Sequence, residues 1–581
     1  MVTPVYAGNC QLGKLLEFPV TMNGPRPLVS ATINDRKVQF VLDSGAFYSM
    51  ITPASAEELK LITTFAAPRF TVLGVTGSTR VMLTRVKSLV LAGQQFPELT
   101  FLVAGSEPGE GSIGFLGQNF LHLADVDYDL ANGVVRLIRA QNCHSDNLAY
   151  WVPAGGTYSM VDLDREEQGK STDVNRHTVS VAYINGEKFK VLFDTGAPQS
   201  LLSLHAAARI GIRPDSPGVV PVGMMSGIGA KLVPEYIAPV SSFKIGDEEV
   251  RNTRIRVGDM VLEGADMLLG ADFFLSHRIY VSNLQNKLYF TYNGGPIFNL
   301  STGAKATAAP VTTSAAQGDG QGEDAEEISR RAAALASRGE LDQALAAFSR
   351  AVELAPDNAD SRYQRAMVFW RLRKPDEALA DLDQALKIRP DDFRAHLSRG
   401  ELLLQRGDKA LATADLDAAD AAAPKEADER LELANAYDRA GLLPQAVVQL
   451  TRWIDAHGVD RRIPEAYNSR CWIRALQGTE LAQALSDCNA ALKGTEKANP
   501  LYVEISDSRG LVYLRMGDPA KAIADYDTAL GMNPKSAWSL YGRGIARLRT
   551  GMKAQGEADI DAATAIRASI ADDFTRLGIT P

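Results

Sequence analysis

The 581-residue chain is poor in the residues that usually announce a metal or a disulfide scaffold: 4 cysteines, 7 histidines and 5 tryptophans. Cys10, Cys143, Cys471 and Cys488 are too few and too scattered for a disulfide framework or a paired-CxxC zinc site. The histidines form no HExxH and no other metal-like spacing, and there is no Walker loop. No metal or cofactor is therefore expected. Lysine and arginine (61) fall short of aspartate and glutamate (70), leaving a net charge of −9 with no basic block. That argues against nucleic acid as a partner. No run of 18 apolar residues occurs, so no membrane-spanning helix is expected. What remains is ordinary folded composition, 45% hydrophobic and 23% charged. At about 150 residues per domain the length suggests roughly four domain equivalents, ample to bury a core without staples.

Composition changes near residue 300. Before it, short apolar runs cut by turn residues read as strands, among them 38–45, 100–105, 190–196 and 287–292. After about residue 325, Ala, Leu, Arg and Asp recur with helical periodicity. The stretch 301–324 holds almost no large apolar residue and reads as a flexible linker. The helical half repeats. Pro356, Pro390 and Pro424 stand 34 residues apart, as do Ala344, Ala378 and Ala412, and Ala351, Ala385 and Ala419. Small residues at this period suit close helix crossings, while Phe348, Leu382 and Leu416 would fill the space between units. The period and pattern resemble the tetratricopeptide repeat, a helix–turn–helix unit. About seven units are expected over 325–581, the later ones looser and the last stretch including a capping helix. The resemblance implies one solenoid whose concave face takes a protein partner.

A second repeat lies in the first half. Residues 31–51 match 181–202: Ile33-Asn34 with Ile184-Asn185, Asp43-Ser44-Gly45-Ala46 with Asp194-Thr195-Gly196-Ala197, and Ser49 with Ser200, each offset by 151. Further on, Leu116-Gly117 matches Leu269-Gly270. One Asp-Ser/Thr-Gly is a weak signal, since a turn after a strand favours Asp and Gly anyway. Two copies, each after an apolar strand and each followed at similar distance by apolar-apolar-Gly, are specific.

This combination resembles the aspartic proteases, in particular retropepsin-like units, over roughly 28–140 and 175–293. The resemblance implies a multidomain chain: an all-β acid-protease fold of two pseudo-symmetric lobes, then the all-α solenoid. The expected divisions are an N-terminal segment 1–27, lobes 28–150 and 151–300, the linker 301–324, and the solenoid 325–581. It further implies an endopeptidase acting on a protein or peptide. Asp43 and Asp194 would be the catalytic pair, and Ser44 and Thr195 would interlock the two loops. Gly45 and Gly196 would allow close backbone approach. Leu116, Gly117, Leu269 and Gly270 would support the loops from behind. Each unit supplies one aspartate, so two units must face each other, within one chain or between chains. Flap tips are expected at Gly74, Thr76 and Gly77, and at Gly223, Ser226, Gly227 and Gly229, where glycine supplies turn geometry and mobility. Neither candidate has the tyrosine of pepsin-like flaps. Ala46 and Ala197 stand where pepsin-like loops carry a hydroxyl that favours the carboxylate form. Without it the pair's upper ionisation should rise and activity should extend toward neutral pH.

Two smaller readings complete the chain. Asp125, Asp127 and Asp129 alternate along one strand, expected as a solvated face, with calcium binding as the alternative. Val5-Tyr6-Ala7 resembles the small-residue end of an export cleavage site, so the segment 1–27 is read as a possible signal remnant. The even cysteine count permits pairs in an oxidising compartment. A periplasmic or secreted location is expected, with the cytoplasm as alternative.

Overall fold

The computed structural model describes residues 10–65, 71–74, 77–105, 109, 111–164, 177–225, 233–262, 264–298, 300, 324–497 and 499–580. They form two compact units, 1–390 and 391–581. The first contains two β-lobes built alike. In lobe one, Arg26–Ile33 pairs antiparallel with Arg36–Leu42, which runs parallel to Gly114–Leu116, itself beside Met50–Ile51. In lobe two the same order is Val179–Ile184, Glu187–Phe193, Met267–Leu269 and Leu201–Ser203. Each opening hairpin turns on two residues with positive φ, Asn34-Asp35 (47° and 67°) and Asn185-Gly186 (53° and 83°). That is the turn whose twist matches paired strands, and Asn, Asp and Gly tolerate it best.

A six-stranded sheet joins the lobes. Its order is Gln11–Pro19, Val134–Gln141, Asp125–Asp129, His277–Ser282, Lys287–Tyr292, Ser159–Asp162. The joint is antiparallel, Val126 opposite Val281, Asp127 opposite Tyr280 and Tyr128 opposite Ile279. Residues 11–23 thus belong to the sheets, while 1–9, with the export-like motif, lie outside the described residues. The solvated-face expectation for the alternating aspartates is overturned: all of Asp125–Asp129 is buried. Arg278 pairs with Asp127 through both oxygens (3.0 and 2.7 Å), and Arg136 adds a third contact (3.1 Å). Burial alone raises the Asp127 carboxyl, but the Arg278 hydrogen bonds and the Arg278 and Arg136 charges outweigh it and hold the group below its ordinary value. Asp125 accepts from Tyr280, Ser282 and the Asn283 N–H. Among the described residues no acidic, histidine or cysteine group of metal-holding arrangement occurs. Cys10 and Cys143 form a disulfide at one edge of this sheet.

Fifteen helices follow, from Ala325–Ser337 to Ile570–Arg576, as seven pairs and a short terminal helix. The 34-residue alanines are buried at the crossings, and Phe348, Leu382 and Leu416 are fully buried. Cys471 and Cys488 form a disulfide between the helices of one pair. Most pairs share a device absent from the reading above. An arginine on the first helix grips an aspartate on the second: Arg365–Asp381 in the first unit, then Arg399–Asp415, Arg470–Asp487, Arg509–Asp525 and Arg543–Asp559 in the second. Each is a two-pronged charge-assisted pair on a buried carboxylate.

The boundary between the compact units falls at 390, inside the repeat array; residues 301–323, read as a linker, lie outside the described residues. Within the first unit, Ala332, Ala333 and Ala334 of Ala325–Ser337 join the apolar core that contains Phe18, Val135 and Phe274. Ser337 donates to the Gly24 carbonyl of lobe one, and Arg338 to the Leu275 carbonyl of lobe two (3.4 Å). The first repeat helix therefore touches both lobes.

Arg278→Ala strips the fully buried Asp127 of its two-pronged partner, and a broken buried pair costs about 3–5 kcal/mol. A correspondingly earlier denaturant midpoint for the first unit is expected; an unchanged midpoint would show the pair to be dispensable.

Candidate active site

Both lobes bring their Asp-Ser/Thr-Gly loops to one point. Each loop follows a strand whose last residues pair with the Leu-Gly strand behind it. Asp43 N–H donates to Leu116 O (3.0 Å) and Asp194 N–H to Leu269 O (2.9 Å). Gly117 and Gly270 lie so close under the loops that a side chain could not fit. A Cβ would sit 2.7 Å from Ala46 O in one lobe and 2.5 Å from the Gln199 carbonyl carbon in the other. Ser49 and Ser200 add a support that sequence matching found but did not interpret. Each hydroxyl accepts from the Gly117 or Gly270 N–H (3.0 Å) and donates to Asn119 or Asp272 (2.7 Å). Tyr128 lies fully buried nearby, its hydroxyl bonded to Ser44.

The loops cross-link through four hydrogen bonds. Ser44 Oγ donates to Phe193 O (2.9 Å) and Thr195 Oγ1 to Leu42 O (2.7 Å). Ser44 N–H donates to Thr195 Oγ1 and Thr195 N–H to Ser44 Oγ, both at 2.9 Å. Each aspartate then lies over the other loop's glycine. A Cβ on Gly45 would stand 2.3 Å from the Asp194 carboxyl carbon, and one on Gly196 2.3 Å from that of Asp43. Only glycine leaves that room. Each carboxylate accepts two backbone N–H groups: Asp43 from Gly45 and Ala46, Asp194 from Gly196 and Ala197.

The carboxyls hydrogen-bond each other. Burial first, then the Asp194 charge, pushes Asp43 well above the usual carboxylate range. Burial also raises Asp194, against the hydrogen bond with Asp43, the backbone donors and the charge of His177. Two buried carboxyls in contact titrate as a pair that retains one proton.

An aspartyl protease family pattern matches residues 29–120 and 180–273, each stretch carrying one of these loops. The first part of the chain is a duplicated aspartyl-protease unit. Tetratricopeptide patterns match residues 332–372, 363–427 and 508–571. The aspartyl-protease lobes are thus followed by repeats of a kind that bind proteins. Solved repeat structures are similar to the chain. One from Parabacteroides merdae ATCC 43184 is 17% identical, covers 44% of this chain and 99% of its own, and has a TM-score of 0.32. YrrB, described as having an unusual peptide-binding site, is 19% identical, with 34% and 97% covered and a TM-score of 0.30. MamA from Desulfovibrio magneticus RS-1 is 22% identical, with 30% and 95% covered and a TM-score of 0.26. No curated protein matches the chain.

The flap positions are only partly described. Gly74 and Gly77 face each other at the end of a two-stranded ribbon, Thr71–Gly74 with Gly77–Arg80. Gly223, with φ +141°, interrupts the register between Val220–Met225 and Val233–Ile245. Thr76, Ser226, Gly227 and Gly229 lie outside the described residues. Motif matching does not find His177, whose charge acts on Asp194. It stands 17 residues before Asp194, as Arg26 stands 17 before Asp43, a signal present in the duplication itself.

Thr195→Ala leaves the buried Leu42 carbonyl and Ser44 N–H unpaired, at about 1–3 kcal/mol each. Thr195→Ser keeps both bonds. Denaturant melts should therefore rank wild type and the Ser variant together and the Ala variant about 2–6 kcal/mol below, the sum of the two costs; equal Ser and Ala variants would refute the interlock.

Proposed function

We propose that the chain is an aspartic endopeptidase whose Asp43 and Asp194 act as one catalytic pair, with the repeats recruiting substrate or a protein partner. One observation carries the reading: two carboxyls, one from each lobe, Asp43 buried and Asp194 half-buried, each set over the other loop's glycine above crossed loops. Such a pair holds one proton and one negative charge. The ionised member takes a proton from a water placed between them. The protonated member donates to the carbonyl oxygen of the scissile peptide as that water adds to its carbon. Collapse of the tetrahedral species sends a proton to the leaving nitrogen and restores the pair. Ser44, Thr195, Gly45 and Gly196 serve by fixing the separation; Leu116, Gly117, Leu269 and Gly270 by holding the loops. Apolar walls on either side support a preference for apolar peptide side chains. Met50, Leu102, Tyr48 and Phe115 form one cluster in lobe one; Leu201, Met260, Leu268 and Met225 pack with Ala197 in lobe two.

The pH range follows from the same pair. Hydrolysis needs one proton on it, so activity falls at low pH as both carboxyls protonate and at high pH as both ionise. At Ala46 and Ala197 only backbone N–H groups reach the carboxylates. With burial and like charge raising the upper step, the basic limb moves toward neutral pH. A profile peaking sharply near pH 2–3, about the acidic side of the pepsin pair, would contradict this.

Cleavage of an unfolded protein should be blocked by pepstatin and abolished by Asp43→Asn alone and by Asp194→Asn alone. Residual activity in either single variant would mean that like units pair between chains; no cleavage by the wild type would favour a binding scaffold. The two disulfides support a periplasmic or secreted location. Thiol titration of the unreduced, denatured protein from its native compartment should find none of the 4 cysteines free, and four free thiols would remove the argument.

A further inference from the structure

A third ionisable side chain stands beside the aspartate pair, and no step of the proposed hydrolysis uses it. Val179–Ile184 pairs with Glu187–Phe193 with Val179 opposite Leu192. Phe193 N–H donates to Thr178 O (3.0 Å), which continues the ladder by one residue. The next position sets His177 abreast of Asp194. Opposed residues of an antiparallel pair project to the same face, with Cα atoms about 4.5–5.5 Å apart. Phe47, from the loop of the facing lobe, lies against the imidazole with ring centroids 6.1 Å apart. His177 Nδ1 is buried. Among the described residues, the charged group seen to act with this ring is Asp194 on its own sheet, and the Phe47 wall is apolar.

Lobe one has an arginine at the matching place. Arg26 lies in the corresponding register to Asp43, and its Nη1 sits beside Gly109, 3.8 Å from where a Cβ there would stand. A guanidinium keeps its charge at every working pH, whereas an imidazole changes charge near its ordinary value of about 6.5. The two halves of the site thus differ in one switchable cation, and it belongs to Asp194. In agreement, the His177 charge favours the ionised form of Asp194, after the larger effects of burial, the Asp43 hydrogen bond and the backbone donors.

We propose that protonated His177 keeps the negative charge of the pair on Asp194 and the shared proton on Asp43, making His177 a positioning residue for the proton. This rests on the aspartic endopeptidase reading for its consequence and on the strand register for its geometry. It assigns Asp194 as the group that takes the proton from water and Asp43 as the donor to the carbonyl. It also makes that division of labour weaken as pH rises through the imidazole's own ionisation.

The test reads the imidazole directly. In full-length protein with ring-labelled histidine, the His177 signal is identified by its loss in His177→Gln and titrated in wild type, Asp43→Asn and Asp194→Asn. The remaining charge lies on Asp194 in Asp43→Asn and on Asp43 in Asp194→Asn. The His177 midpoint should stay at the wild-type value in the first and fall by about 0.5–1 pH unit in the second, the size a screened charge a few ångströms away gives. Equal midpoints in the two variants overturn the proposal. In a second arm, the acid limb of the wild-type pH–rate profile should move up by about half a unit in His177→Gln, because a charged neighbour no longer favours the carboxylate. His177→Arg should return it, and a limb unmoved in the Gln variant also overturns the proposal. A wild-type chain that cleaves nothing yet shows the lower midpoint in Asp194→Asn alone keeps the charge assignment and refutes the endopeptidase reading instead.

Discussion

Everything at this site depends on holding two like-charged groups together. Two carboxyls share a proton only at contact distance, and buried like charges repel unless something else fixes them. The four crossed bonds between Ser44 and Thr195 do this with neutral groups. Each hydroxyl both accepts an N–H from the other loop and donates to a carbonyl of the opposite strand. Among the described residues, the aspartates accept hydrogen bonds from their own loops' N–H groups, and the His177 charge acts on Asp194 from the side. Interlock and chemistry thus come from the same six residues, and the glycines are needed because each carboxyl occupies the space where the opposite Cβ would be.

Such a junction stays in place only if the lobes behind it do. The interlobe sheet, the Cys10–Cys143 disulfide along its edge and the helix Ala325–Ser337 across both lobes act on the same joint from different sides. The repeats are consequently not a separate appendage from their first residue. Their first two pairs share a compact unit with the lobes, and the array continues as its own unit from 391. In that second unit the arginine–aspartate pairs make each helix pair partly self-sufficient. The arginines also reach back to the preceding pair, as Arg470 does to Thr451 and Arg509 to Asn489. One looser repeat, 427–460, has Leu433 and Gln449 where the others have the pair, and Arg430 reaches Gln449 and Asp420 instead.

What was legible in the sequence is what short segments determine. The Asp-Ser/Thr-Gly loops, their glycines, the strands before them and the 34-residue alanines each encode their own geometry, and duplication made them recognisable. What was not legible depends on a distant partner. Alternating acids at 125–129 look solvated because the pattern does not show Arg136 reaching them from the next strand or Arg278 arriving from the other lobe. The stretch Ala332–Ala336 is alanine but for Leu335, so its pattern does not reveal that Ala332–Ala334 meet the β-lobes. His177 was hidden by its type, since a lone histidine is usually a core or surface residue. The arginine–aspartate spacing, 16 residues in four pairs and 17 in Arg470–Asp487, was visible at the repeat period but carries meaning only once the two helices are known to cross there.

The buried acids also bear on how the units pair. Gly117 and Gly270 are equivalent, an offset of 270 − 117 = 153, and the same offset relates the turns at Gly133 and Asn286, both with positive φ. Applied to the joint, it makes Tyr280 the counterpart of Asp127, and these two residues stand directly opposite each other. The local twofold axis therefore passes between them. Two copies of lobe one, docked in this register, would set Asp127 against its own copy. Both would be buried carboxylates, and neither would have Arg278, whose counterpart in lobe one is Asp125 (278 − 153 = 125). Each would keep Arg136 of its own lobe but would lack the two-pronged partner, and two buried carboxylates set face to face with that reduced compensation are costly. In the single chain the second copy supplies Tyr280 opposite Asp127 and Arg278 to bind it, so divergence at two positions turns a repulsive contact into an ion pair. The same change weighs against like-with-like docking: a joint of one aspartate-bearing and one arginine-bearing strand is better satisfied by unlike halves, and unlike halves are what one duplicated chain provides.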